Sequence, residues 1–497
     1  MCMGKESKNM RGTYFISSIS LTSYAVEFGI LSIFTLFMYF FMNFSIPLTS
    51  TVYSYYYGFA YLLPILTGYV ADKYLDKSTS LTIGYISMII SQILLCITAS
   101  LHPNGGDVLD SIVINMQSIV LFTGLFFLAL GTSFTSLSFS HIINSINNDE
   151  ASILEGFSIF YPFINVGILM GVVILSVIIG EENYGLYPLA FAIFAVILII
   201  GLVCFRLFKD KCLVDNCGNP MEENHSKGSI KDASNKIHSP LSDRGISEIK
   251  GLNLIGRINS FKNTLNSHEK DQLSVFFIFV LIIIVYRIAF SQTNVSMVFF
   301  IDSFVQRDFG SFVIPVQLYF ILNPLFILIL GPIFLKINNK LTEMGKNLNF
   351  INRLIISLLV MVLCYMILCV SGFYIDIGSV SQINLLWIVL FDFLLAISEL
   401  YFSISTYSMV GSLTPEKYYS LFFGLFTATR SIAMFVSGII SSYFPENPPI
   451  FIYNIPFYGL MNFFLIFVIM SIIASMFLII FRKNLTAKMH VEDPNPE

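Results

Sequence analysis

Apolar residues fall along this chain in long unbroken runs, and the polar residues gather between the runs, unlike the alternation of a sheet or the narrow stripe of a soluble helix. Windows of about 19 residues find stretches able to cross roughly 30 Å of hydrocarbon as helices. Six lie early, at 18–42, 51–71, 79–100, 114–138, 155–180 and 187–208; six lie late, at 273–300, 312–336, 352–373, 383–408, 417–444 and 456–481. Between them, 209–272 is rich in Lys, Asn, Ser, Asp and Glu and has no apolar periodicity that could pack a domain. The pattern predicts an all-α polytopic membrane protein of about twelve transmembrane helices. Its parts are a tail over 1–17, a six-helix bundle over 18–208, a polar linker over 209–272, a second six-helix bundle over 273–481 and a tail over 482–497.

Composition removes the soluble alternative. Of 497 residues, 56% are hydrophobic and 12% charged, with a mean hydropathy of +0.78. Ordinary globular proteins carry about 25% charge, so this chain cannot cover its Ile, Leu and Phe with polar groups and must dissolve in lipid. A net charge of −4 offers no basic face for nucleic acid. Lys and Arg collect in short cytoplasmic loops: thirteen lie on the side holding both termini, eleven in the linker and its edge, and one, Arg307, across the membrane. Both termini and the linker are therefore expected in the cytoplasm. The first run is too long for a signal peptide and lacks a small-residue cleavage site, so it should remain as the first span. Short tails without an organelle signal suggest a bacterial inner (plasma) membrane.

Seven cysteines show no disulfide framework and are expected reduced. Cys212, Cys217 and His225 lack metal-ligand spacing, and H-E-x-x-H, G-x-S-x-G and P-loop patterns are absent. No enzyme activity, cofactor or metal is expected. The layout of six spans, linker and six spans is that of a major-facilitator transporter, whose halves rock about a site near the midplane. A channel or membrane enzyme would share the hydropathy, so motifs must decide.

Between the second and third runs, Gly68 with Asp72 and Lys73 can let helices approach and form a charged latch; an ordinary charged turn is the plain alternative. This stretch resembles the major-facilitator motif G-x-x-x-D-[RK]. Tyr161 and Asn165 stand i, i+4, on one helical face, where a phenol and an amide can hydrogen-bond a peptide backbone; the alternative is that neighbouring helices satisfy them. Phe160-Tyr161 with Ile164-Asn165 and Gly167 is similar to the F-Y-x-x-I-N-x-G signature of the proton-dependent oligopeptide transporter family. Further stretches resemble the same family in order: Tyr61 to Leu75, Phe290-Ser291-Gln292, Ile314-Pro315, Asn323-Pro324-Leu325-Phe326, Ser398-Glu399-Leu400 with Ser403 and Pro415, and Gly424-Leu425 with Gly438. The resemblance covers spans two to eleven and implies a major-facilitator fold that moves small peptides with protons.

The departures fall on charge. Where the family has E-x-x-E-R on helix one, this chain has Tyr24-Ala25-Val26-Glu27-Phe28. A second helix-one arginine aligns with Thr35, the helix-four lysine falls near Ser136, and the helix-seven glutamate is Ser291. Much of the implied clamp for peptide termini is missing. In its place Arg287 and Arg430 lie deep inside apolar runs, and Asp392 precedes Glu399 by seven residues on one helical face. Charges at such depth face a bundle interior or a wet cavity; a structural pairing of the arginines with Asp392 or Glu399, or snorkelling, is the competing reading. A carboxylate in a low-dielectric cavity favours its neutral form, and a neighbouring arginine opposes this. No histidine lies at mid-membrane.

Glu27, Glu399 and Asp392 are thus expected to carry protons, and Tyr161, Asn165, Arg287, Gln292, Asn323 and Arg430 to meet the substrate. Gly68, Asp72 and Lys73 are expected to gate. The tyrosines of span two (Tyr53, Tyr55, Tyr56, Tyr57, Tyr61) read as lipid-facing or interfacial rather than as a stacking pocket. The expected protein is a monomeric proton-coupled symporter importing di- or tripeptides. The alternatives are the same fold carrying an amino acid, a peptide-like metabolite or a siderophore, by import or export, or a non-transporting sensor or scaffold.

Overall fold

The computed structural model describes residues 5–101, 108–146, 150–180, 183–213, 266–310, 312–344, 349–414, 419–445, 450–452 and 455–489. Backbone polar groups in oil must be satisfied within the chain, and the apolar runs answer as helices. The first group comprises α1 (Lys5–Leu36, extended by a π-turn over Phe37–Phe41), α2 (Ile46–Ala60), α3 (Leu63–Tyr74), α4 (Lys77–Ser100), α5 (Met116–Ile146), α6 (Glu150–Ile179) and α7 (Tyr187–Cys212). The second comprises α8 (Ser267–Ser291), α9 (Ser296–Phe304), α10 (Leu322–Glu343), α11 (Phe350–Asp376), α12 (Leu386–Leu413), α13 (Tyr419–Ser441) and α14 (Leu460–Met489). Within the first group α1 packs on α6 and α7, and α4 on α5 and α7; within the second, α11 packs on α12 and α14, and α8 on α13 and α14.

Helices overrun the predicted linker at both ends. α7 continues to Cys212 and α8 begins at Ser267, where Asn266 and Glu269 close a reciprocal capping box; residues 214–265 lie outside the described residues. At the turn into α4, the Asp76 carboxylate accepts the Thr79 N–H at 2.9 Å. Partial burial opposes ionisation there, but the Thr79 bonds and the charge of Lys209 hold this carboxyl below its usual range. The side chains of Asp72 and Lys73, expected to gate, lie outside the described residues, and Gly68 sits on α3 beside Leu137.

Among the described residues ten helices are long and apolar enough to cross a membrane. The second predicted span differs in being broken at Tyr61 and Leu62, between α2 and α3. Pro64 has no N–H to donate, and its ring crowds the turn before it. The eleventh is the shorter α13, with an apolar stretch over Leu425–Ser441. The seventh also breaks, at Gln292–Asn294. There the hydroxyls of Ser291 and Thr293 bond back to the carbonyls of Arg287 and Phe290, a habit that bends helices.

The breaks leave backbone carbonyls without their helical donors, and one at each break is answered across the groups. Leu62 N–H turns to Phe59, so the Gly58 carbonyl loses its partner; Val298 N–H turns to Val295, so the Asn294 carbonyl loses its own. Both are recovered from the other group of helices. The Ser431 hydroxyl on α13 donates to the Gly58 carbonyl at 2.6 Å, and the Thr35 hydroxyl on α1 donates to the Asn294 carbonyl at 2.8 Å. Small residues let the elements come that close: a Cβ on Gly58 would strike the Phe435 ring, and one on Gly438 would strike Ser54. Tyr39 stacks edge-on against Phe299 in the same zone. These meetings lie away from the end that carries the termini.

The outer surface is coated with oil-soluble side chains such as Val177 and Ile480, 79% and 67% exposed, a coat that water would not tolerate. Short strands tie loops at the far end: Val305–Gln306 pairs in parallel with Ile383–Asn384, and Arg307 closes on Asp302 at 3.1 Å.

The tightest crossing is α1 on α6, where a Cβ added to Gly171 would fall on the Ala25 carbonyl. Gly171→Ala should therefore force the helices apart and lower stability by about 1–3 kcal/mol. Gly331→Ala, with nothing within 4 Å, should leave the melting temperature of the purified protein unchanged; equal shifts for the two variants would contradict this packing.

Candidate functional site

Beside the break at Tyr61 lies a cavity of about 80 Å³ bordered by Glu27 of α1, by Tyr56, Tyr57 and Tyr61, and by Thr132 and Ser136 of α5. The tyrosines read from the sequence as lipid-facing or interfacial point inward instead. Tyr53 and Tyr57 are buried, with ring centres 4.5 Å apart, Tyr56 stacks on Phe34 at 5.3 Å, and only Tyr55 of the five is exposed. The spacing that places four tyrosines on one side of α2 is visible in the chain; which side faces the oil is decided by packing against α1 and α13.

Charge enters this region from both groups of helices. Glu27 is partly buried in the cavity wall. Arg430, one residue before the Ser431 that caps Gly58, is accessible, and its guanidinium carbon lies 5.2 Å from the centre of the Tyr61 ring. It stands within electrostatic reach of Glu27 and of Glu399. Glu399 on α12 accepts a hydrogen bond from the Asn323 amide at 3.1 Å and also feels Arg287. The Arg287 guanidinium sits 5.5 Å from the ring centres of both Phe402 and Phe426, and Phe402 is itself stacked on Tyr286 at 3.7 Å. Glu27, Arg430, Glu399, Asn323 and Arg287 thus form one connected charged region spanning the two groups.

Other expected residues lie elsewhere. Asp392 is 2% exposed and senses Glu399, as its spacing on α12 implies, but its neighbours are Tyr319, Cys364 and Tyr365. Gln292 is fully buried in the second helix break: its amide donates to the Ser437 hydroxyl at 2.9 Å, and its carbonyl accepts from Ser296 and Ser441. Every hydrogen-bonding group it has is used in joining α8, α9 and α13. Asn165 is buried and donates to the Tyr161 carbonyl one turn back, while the Tyr161 side chain is 51% exposed. The sequence reading missed Tyr61, Thr132 and Ser136 as cavity residues. The signal that could have found them was Pro64, which places a helix break beside Tyr61.

Hydroxyls occupy the positions where the resemblance implied charge. Thr35 caps Asn294, Ser291 bonds the Arg287 carbonyl, and Ser136 borders the cavity with its own hydroxyl turned to the Ser133 carbonyl at 3.2 Å.

Comparison with known proteins agrees with this architecture. The model of the POT family matches residues 80–454. A di-/tripeptide transporter of Lactococcus lactis subsp. lactis is 24% identical over 474 residues, covering 88% of this chain and 86% of that one. Dipeptide and tripeptide permease A of Citrobacter koseri is 23% identical over 489 residues, covering 95% and 92%. Among solved structures, a mutant peptide transporter POT in complex with alafosfalin superposes with a TM-score of 0.76 at 17% identity over 98% of this chain and all of that one. A POT family transporter in complex with 5-aminolevulinic acid gives 0.74 at 17% identity, covering 96% of this chain and 97% of that one. At such identity these structures establish the fold.

The amide of Asn323 is the direct donor to Glu399. Asn323→Ala should lower stability by about 1–3 kcal/mol, because the carboxylate keeps its desolvation cost and loses its donor. Adding Glu399→Gln should recover part of that loss. Strict additivity in a double-mutant cycle of melting curves would show that the two side chains do not interact.

Proposed function

This chain belongs to the POT family, and on that premise we propose that it carries small peptides across the membrane, with protons moving in the same direction, by alternating access between its two helical groups. The observation that supports the reading is the position of Arg430: one guanidinium, 5.2 Å from the centre of the Tyr61 ring, is within electrostatic reach of a carboxylate of the first group, Glu27, and of one of the second, Glu399. A shared cation of this kind ties the groups electrostatically. When a proton neutralises either carboxylate, the attraction on that side is lost and Arg430 is released toward the other carboxylate or toward an anionic group of the substrate. Arg287, held between two rings, supplies a second positive charge beside Glu399.

On this reading Glu27 and Glu399 are the proton carriers, and Asp392 modulates Glu399 from below the cavity surface. Asn323 holds Glu399 in place. Gln292 serves the helix break rather than the substrate, and Tyr161 with Asn165 shapes the α6 wall. Asp72 and Lys73 with Gly68 close the end carrying the termini. That end faces the cytoplasm of a cell whose plasma or inner membrane holds the protein as a monomer. Import fits a driving force of about 2.3 kcal/mol per proton for each 100 mV of membrane potential. The relatives named di-/tripeptide transporter and dipeptide and tripeptide permease support peptides as cargo.

The test is uptake of labelled di- and tripeptides into proteoliposomes under an imposed pH gradient. Wild-type protein should accumulate them. Glu399→Gln and Glu27→Gln should each reduce gradient-driven accumulation about tenfold or more while retaining exchange of labelled for unlabelled peptide without a gradient. Accumulation that survives both substitutions would remove the proton roles, and uptake of free amino acids without peptides would replace the cargo.

A further inference from the structure

Away from the charged region, at the end of the molecule that carries the termini, one cation stands without a counter-charge. Arg353 lies in the first turn of α11 and is half-buried. Its guanidinium brings three helices together: it is rooted on α11, donates to the Asn338 side-chain oxygen of α10 at 3.2 Å, and is within electrostatic reach of Tyr401 on α12. Among the described residues it makes no ion pair, and its Nε is buried with no hydrogen-bond partner. Glu343, near the end of α10, is exposed and does not pair with it. The positive end of the α11 dipole adds to the imbalance rather than offsetting it. A guanidinium so placed keeps much of its desolvation cost and gains one neutral acceptor in return.

The neighbouring surfaces indicate what kind of anion would complete it. From Arg353 into the membrane, Ile356 and Val360 follow on the same side of α11 at i+3 and i+7, and Leu363 beyond them is 55% exposed. From Asn338 into the membrane, Leu335 and Gly331 follow on its side of α10 at i−3 and i−7. Leu335 is 58% exposed, and a Cβ on Gly331 would meet nothing within 4 Å. Both helices pack on α12. Open apolar surface therefore begins where the guanidinium ends.

We propose that the notch between α10 and α11 binds an anionic phospholipid, with its phosphate on Arg353 and an acyl chain along Gly331, Leu335, Ile356 and Val360. A guanidinium offers phosphate a planar fork of donors. The orientation proposed above sets this notch in the cytoplasmic leaflet, where anionic headgroups meet basic sites between helices. Soluble phosphate could satisfy Arg353 but would leave the apolar surface beneath it uncovered. The bound lipid braces α10 against α11 beside the bond from Arg353 to Asn338. The inference is independent of the cargo and of the proton carriers.

Native mass spectrometry of the purified full-length protein in detergent, titrated with dioleoyl-phosphatidylglycerol or dioleoyl-phosphatidylcholine, tests the site. Wild type should bind phosphatidylglycerol about fivefold or more tightly than phosphatidylcholine. Arg353→Gln should bring that ratio near one, whereas Arg11→Gln, at an exposed arginine of the same end, should leave it within about twofold of wild type. Equal losses in the two variants would reveal diffuse attraction to the surface and overturn the inference, as would a wild type without preference. Gly331→Leu fills the notch without altering charge and serves even where Arg353→Gln does not fold. It should weaken phosphatidylglycerol binding about fivefold or more, and unchanged binding would overturn the placement of the lipid. Inorganic phosphate should not displace the lipid from wild type; displacement that disappears in Arg353→Gln would assign the site to a soluble anion instead.

Discussion

A backbone carbonyl in hydrocarbon has no water to turn to, and this constraint organises the molecule. Two spans are broken, and the breaks strand carbonyls, that of Gly58 in one and that of Asn294 in the other. Neither is satisfied within its own bundle. Ser431 answers the first and Thr35 the second, each from the opposite group of helices. The breaks therefore do two things at once. They interrupt the helices, one of them beside the cavity at Tyr61, and they create hydrogen-bonding demand that apposition of the groups meets at Gly58 and at Asn294. Separation at this end would expose two carbonyls that need water or a straightened helix.

The charged region is built around the first of these bonds. Ser431 and Arg430 are neighbours on α13, so the residue that caps the break also fixes where the guanidinium begins. Tyr61, at the break itself, offers the ring on which that guanidinium rests. Glu27 and Glu399 approach from the two groups. In a medium of low effective dielectric constant the attraction between such charges is several times its value in water, so the position of Arg430 is sensitive to the charge state of either carboxylate. Geometry and electrostatics meet at one turn of one helix.

The residues that depart from the family pattern are not vacant positions. Thr35 became a cap, Ser291 a helix-bending hydroxyl, and Ser136 part of a cavity wall. Hydroxyls at these three positions cost less to desolvate than charged side chains would, and the two arginines of the charged region both stand on the second group, where Arg287 is held between Phe402 and Phe426. Gln292 is the complementary case: a polar residue that looked available for substrate is consumed by three serines in a dry junction.

The helical class and the many membrane-crossing runs were legible in the chain, because a run of about 20 apolar residues has one low-energy answer in a bilayer. The mid-membrane charges were legible for the same reason: Glu27, Arg287, Asp392, Glu399 and Arg430 stand out against oil. Sequence could not say which of them meet. Periodicity assigns residues to a helical face, but only packing decides whether that face looks at lipid, at a neighbour or at a cavity, and so the tyrosines of α2 turned inward while Gln292 was sealed away. Pro64 announced one helix break and nothing comparable announced the other, which arises from hydroxyls bonding back along their own helix. Hydrogen bonds between residues hundreds of positions apart, Ser431 to Gly58 and Thr35 to Asn294, leave no local pattern in a single chain; they exist only once both groups of helices stand side by side.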